Sequence, residues 1–90
     1  MHQAENVPDV CWEYIGIVGF MMEHPGLMGM DDRRVECHVR LAKHYGLTLN
    51  MTTKITDHMF DKNGELKDGV WLHESLVKIK NDLKNKKIFF

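Results

Sequence analysis

The sequence predicts a mainly α-helical single domain, a small helical bundle with one short β-hairpin and a C-terminal helix. Apolar residues recur at three- and four-residue intervals through three long segments, the period of an amphipathic helix. Those segments are bounded by Pro, Gly, Asp and Asn where helices start and stop. Ninety residues with 43% hydrophobic content suffice for one modest core and no second, so residues 1–90 form one domain.

Asn6, Pro8 and Asp9 open the first helix, with Pro tolerated in the first turn and Asp favourable against the helix dipole. It runs to about Glu23. Val10, Tyr14, Ile17 and Met21 make one stripe and Cys11, Ile15, Val18 and Met22 the next, so the helix is expected at the centre of the bundle. Gly16 and Gly19 lower helix propensity and suggest close approach by another backbone. Trp12 and Phe20 lie off both stripes and are expected at a partly exposed patch.

His24-Pro25-Gly26 stops this helix, because the residue before Pro is pushed out of the α region. A loop with Leu27, Met28 and Met30 follows, and Asp31-Asp32 open the second helix. Its stripe is Val35, Val39 and Ala42, with His38, Leu41 and Tyr45 beside it, and Lys43-His44 close it with the right sign for the dipole. A third helix is expected from about Leu49 to Met59, against the β-branched residues Thr52, Thr53, Ile55 and Thr56, which leave a strand as the competing assignment. Phe60 to Lys67 carries Asn63-Gly64 at its centre, the preference of a two-residue hairpin turn. After Asp68-Gly69 the last helix shows Leu72, Leu76, Ile79 and Leu83 at helical spacing, broadened by Val77.

Leu41 to Ile55 is the segment that points toward a function. Ala42 is small, Gly46 lies four positions on where a turn needs positive φ, Leu47 follows it, Thr48 is a helix cap, and Ile55 is apolar nine positions past the Gly. This spacing resembles helix-turn-helix domains in general. Thr52 departs from the pattern, since it places a hydroxyl where a buried aliphatic residue is usual. The resemblance implies a helix-turn-helix-like three-helix core, with Asn50, Thr53 and Lys54 facing a DNA groove and Thr48 and Arg40 positioning phosphates.

Net charge is −1, a poor start for neutralising many phosphates, so DNA contact requires a local basic patch. Arg33, Arg34, Arg40 and Lys43 share the second helix, while Lys78, Lys80, Lys84, Lys86 and Lys87 crowd the C-terminal end and read as a solvated face. Val10 to Met22 contains Glu13, is too short to span a bilayer and lacks the flanks of a signal peptide. No membrane association is expected, and the location expected is cytoplasmic. Cys11 and Cys37 form no Cys-x-x-Cys pair and read as reduced core thiols.

Catalytic spacing is lacking. Six histidines are present, but His2, His24, His44, His58 and His73 are dispersed and mostly adjoin element ends, as surface histidines do. Cys37 and His38 are helix neighbours about a hundred degrees apart and cannot chelate one ion alone, so no metal is expected; a zinc site from Cys11, Cys37 and two histidines stays geometrically open. Asp61, Asn63 and Glu65 suggest a calcium loop, but Leu66 and Leu72 occupy its Gly and Glu positions. No cofactor and no enzymatic activity are expected.

The functional expectation is a small regulatory binding protein touching DNA through the helix after Gly46. The alternative is a protein-binding inhibitor or adaptor using Met and aromatic side chains, namely Trp12, Phe20, Met28, Met30 and the C-terminal Phe90. A homo-oligomer suits either, because the doubly apolar first helix and the Ile88-Phe89-Phe90 end carry more apolar surface than one small core hides.

Overall fold

The computed structural model describes residues 7–85 and contains four helices, α1 (Asp9–Glu23), α2 (Met30–Tyr45), α3 (Leu49–Thr56) and α4 (Gly69–Lys84). Helix α1 packs on α2 and α4, the short α3 lies against α2 and α4, and α2 also touches α4. The core is built from Cys11, Tyr14, Cys37, Leu41, Tyr45, Met59, Leu72 and Leu76, all nearly or fully buried. No described helix is long and apolar enough to cross a membrane.

Local chemistry accounts for the ends. The Asp68 carboxylate accepts from Trp71 N at 3.0 Å and caps α4, whose Leu72 and Leu76 are fully buried with Ile79 and Leu83 half-buried beside them. That is the expected C-terminal helix. Helix α1 ends when His24 N bonds Phe20 O at 2.9 Å and Pro25 blocks continuation. Helix α2 starts at Met30, with Asp31 and Asp32 in its first turn, and ends at Gly46, whose φ of 69° is the left-handed conformation that glycine adopts without strain.

Several expectations are corrected. The β-hairpin near Asn63-Gly64 is absent: among the described residues there is no strand, only one isolated bridge between Phe60 and Leu66. The reason is local. Asp61 Oδ1 accepts from Asn63 N at 2.8 Å and Glu65 N at 2.9 Å, winding the segment into a side-chain-capped turn with Gly64 at φ 81°. Residues between that turn and the Asp68 cap are too few to continue a ladder. Met59 O accepts from Lys67 N at 2.7 Å, which pins the two ends together, and Leu66 packs inward.

Helix α3 stops at Thr56 rather than Met59. Its Thr hydroxyls donate to backbone carbonyls, Thr52 to Leu49 O at 2.9 Å and Thr56 to Thr53 O at 3.2 Å, and the chain then tightens into short-range turns at His58 and Met59. The buried face of α2 is also rotated from the expected one. Cys37, His38, Leu41, Ala42 and Tyr45 point inward, Val35 is exposed and Val39 half-buried, because α1, α3 and α4 all meet the Leu41 side. Of the two α1 glycines, Gly19 receives Leu66 from the 60–66 turn, whose Cδ2 lies 3.7 Å from where a Cβ would be, whereas Gly16 faces open space.

Candidate functional site

The corner between α2 and α3 is held by backbone and side-chain bonds. Leu47 N bonds Ala42 O at 2.9 Å, the Thr48 hydroxyl accepts from Met51 N at 3.2 Å, and Ala42 and Leu47 are buried. Thr52, the residue that departs from the helix-turn-helix pattern, is fully buried and satisfied. Its hydroxyl lies 2.7 Å from His38 Nε2 and donates to Leu49 O. Because that proton is committed to Leu49, the Thr52 oxygen accepts from His38 Nε2–H.

The residues expected at a DNA surface fall into two groups. Asn50 and Lys54 are exposed on α3, Thr53 is half-buried beside Val35 and Leu49, and Thr48 is an exposed cap. Arg40 is elsewhere. It faces α1, where its guanidinium forks onto Glu13, Nη1 lying 3.1 Å from Oε2 and Nη2 bonding Oε1. That bond holds the Glu13 carboxyl below its usual range. Arg34 is similarly tied to Asp31 at 3.0 Å.

Of the residues expected at a protein surface, Phe20, Met28 and Met30 lie at the α1–α2 corner. Phe20 is 40% exposed, Leu27 52%, Met28 91%, and Met22 is exposed as well. Glu13, Gly16, Ile17 and Phe20 of α1 face Leu27, Met30 and Arg33 across a groove of about 380 Å³. A second groove of about 340 Å³, lined by Glu13, Ile17, Arg33, Glu36 and Arg40, shares three of those residues and continues it along α2. The rim is therefore mixed in sign. Phe20 is propped by His24, whose ring stacks on it at 4.2 Å between centroids. Trp12 is half-committed elsewhere: a Cβ on Gly69 would lie 2.7 Å from its indole, so the ring seals the start of α4. Phe90 lies outside the described residues.

Buried polar groups form a second feature that sequence reading largely missed. Cys11 Sγ is 3.1 Å from Tyr45 OH, which is 2.6 Å from His73 Nδ1, so a thiol, a phenol and an imidazole form one chain from α1 through α2 to α4. His73 is thus half-buried and bonded rather than a surface histidine. The signal for it was its place next to Leu72 and three residues before Leu76 on the inward stripe. Burial pushes the Cys11 and Cys37 thiols and the Tyr45 phenol up, which disfavours the thiolate that nucleophilic chemistry needs. Both cysteines are free, and no group of three His, Cys, Asp or Glu among the described residues is arranged to hold a metal ion.

The chain matches no protein-family model, no curated protein and no solved structure.

Proposed function

We propose that this protein is a protein-binding module whose α1–α2 corner docks a second copy of the same chain. The observation that carries this reading is the exposure of Phe20 and Leu27 on the groove that Met30 also lines, with Met28 exposed in the loop next to Leu27. Aromatic and Met side chains at the centre of a patch with a polar rim are the usual anatomy of an interface. Self-docking is favoured by charge. The rim holds Glu13 and Glu36 against Arg33 and Arg40, so it selects neither an acidic nor a basic partner and complements itself under two-fold symmetry. Open space at Gly16 lets the partner backbone come close. The reading involves no catalytic step, and the free buried thiols suit a reducing compartment such as the cytoplasm.

Sedimentation velocity from low to high micromolar concentration tests this. Reversible association is expected, and Phe20→Ser combined with Leu27→Ser should weaken it at least about tenfold. Unfolding should shift little, because both side chains are substantially exposed in the monomer. A strict monomer throughout the range contradicts the reading.

Duplex DNA bound by α3 is the second reading, favoured by the tight corner at Gly46 and by Asn50 and Lys54 exposed on one helix. Its weakness is electrostatic, since Arg40 and Arg34 already serve Glu13 and Asp31. No mobility shift of duplex DNA is expected at micromolar protein in low salt. A shift that Lys54→Glu abolishes would restore the DNA reading.

A further inference from the structure

Glycine inside a helix is less favourable than alanine, so Gly16 and Gly19 of α1 each call for a use. Gly19 has one within the chain, because Leu66 packs against it. Gly16 is exposed, and a Cβ built on it would meet open space. Phe20 lies one turn further along the same face of α1, is exposed, and lines the same groove as Gly16. The helix thus carries an opening and a large ring four residues apart on one face.

The charges of this corner divide in a similar way. Glu13 and Arg40 satisfy each other within the chain. Arg33 and Glu36 lie one turn apart on α2, line the continuing groove and are exposed. Among the described residues neither of their side chains forms an ion pair or a hydrogen bond.

Resting on self-docking at this corner, we propose its register: two copies pair antiparallel about one two-fold axis, α1 on α1 and α2 on α2. Each Phe20 seats in the Gly16 opening of the other copy, and each Arg33 pairs with the other copy's Glu36.

Symmetry dictates this arrangement. In an isologous contact residue i meets j while j meets i, and only opposed helix directions bring position 20 onto 16 and 16 onto 20 together. A parallel pairing would set each residue level with its own counterpart, Phe20 with Phe20 and Arg33 with Arg33, and would leave both openings empty. One axis serves both pairs because α1 and α2 run antiparallel to each other. Glu13 bonds Arg40 at one end and Phe20 shares its groove with Met30 at the other, so the midpoint of Gly16 and Phe20 is level with the turn holding Arg33 and Glu36. Burial of the ring supplies attraction, while the two charge pairs penalise a slipped register in which like charges would meet.

The test is sedimentation velocity of the full chain, with variants alone and mixed in pairs. Gly16→Leu fills the opening and Phe20→Ala removes the ring, so each alone should weaken self-association at least about tenfold. Gly16→Leu should unfold no earlier in urea than the wild type, since its position is exposed and leucine favours helix. An equimolar mixture of the two should associate at least about fivefold more tightly than either alone. In that mixture the side chain added at position 16 of one chain enters the space vacated at position 20 of the other, and the remaining Phe20 meets the remaining Gly16.

Charge reversal tests the same axis without changing α1. Arg33→Glu and Glu36→Arg should each weaken association at low ionic strength, and their mixture should restore it. A single chain carrying both substitutions keeps its net charge and should self-associate like the wild type, which separates pairing from general charge attraction. If the wild type associates but either mixture fails to recover, or Gly16→Leu associates unchanged, the register is wrong while self-docking stands. A wild type that stays monomeric overturns both. Should Gly16→Leu not fold, the charge variants decide.

Discussion

Replacing Leu72 by Ala is expected to lower the free energy of unfolding by about 3 kcal/mol, the largest effect of any single substitution discussed for this protein. Leu72 is fully buried in the first turn of α4, a helix that packs on α1, α2 and α3. Truncation removes the transfer energy of its methyl groups and leaves a cavity that three neighbouring helices cannot close together. A domain of this size has roughly 5–15 kcal/mol in total, so a shift of that size should be plain in a urea midpoint. Met28→Ala is the control, expected within about 0.5 kcal/mol because its side chain is 91% exposed. A loss below about 1 kcal/mol for Leu72→Ala would mean that α4 does not pack as described.

Thr52→Val is expected to cost about 1–3 kcal/mol, although it adds apolar character at a fully buried position and nearly preserves shape. The substitution leaves His38 Nε2–H facing a methyl group inside the protein. The companion double variant His38→Phe with Thr52→Val should recover part of that loss, since removing both polar partners removes the unsatisfied donor. Urea titration of the wild type, both single variants and the double variant measures the coupling. Were Thr52→Val stabilising, the polar joint would contribute nothing to α3 and its Thr would be an incidental replacement for Val.

These two residues also mark where sequence reading succeeds and where it stops. The stripe through Leu72, Leu76, Ile79 and Leu83 is legible because a regular period survives in a long helix capped by Asp68. Gly46 is legible because few residues other than glycine take a φ of 69° readily at a helix end. The Asn63-Gly64 signal was misleading for a physical reason. It reports the turn, which is present, but Asp61 uses its carboxylate to wind the flanking residues where a strand would need their backbone groups free. The inward rotation of α2 was illegible because Val35 and Val39 are as apolar as the residues that are buried, and only the arrival of α1, α3 and α4 selects between adjacent faces.

At the candidate interface the exposure of Phe20 and Met28 follows from their positions, Phe20 off both α1 stripes and Met28 in a Gly-flanked loop. Arg40 could not be placed. A cation on a helix reads equally well as a phosphate ligand or as the partner of a carboxylate 27 residues earlier, and only the packing of α1 on α2 brings Glu13 within bonding distance. His38 and Thr52 each look like a defect alone. Fourteen residues apart and on different helices, they satisfy each other only once the Gly46 corner has folded.

The most direct test of self-docking at the α1–α2 corner is site-specific photo-crosslinking of the purified chain from Met28, with Glu74, exposed on α4, as the control position. The expected result is a covalent dimer from Met28 whose crosslinked peptide lies in α1 or the first half of α2 of the second copy, with no comparable product from Glu74. Monomer alone from Met28, or equal dimer from both positions, would contradict it.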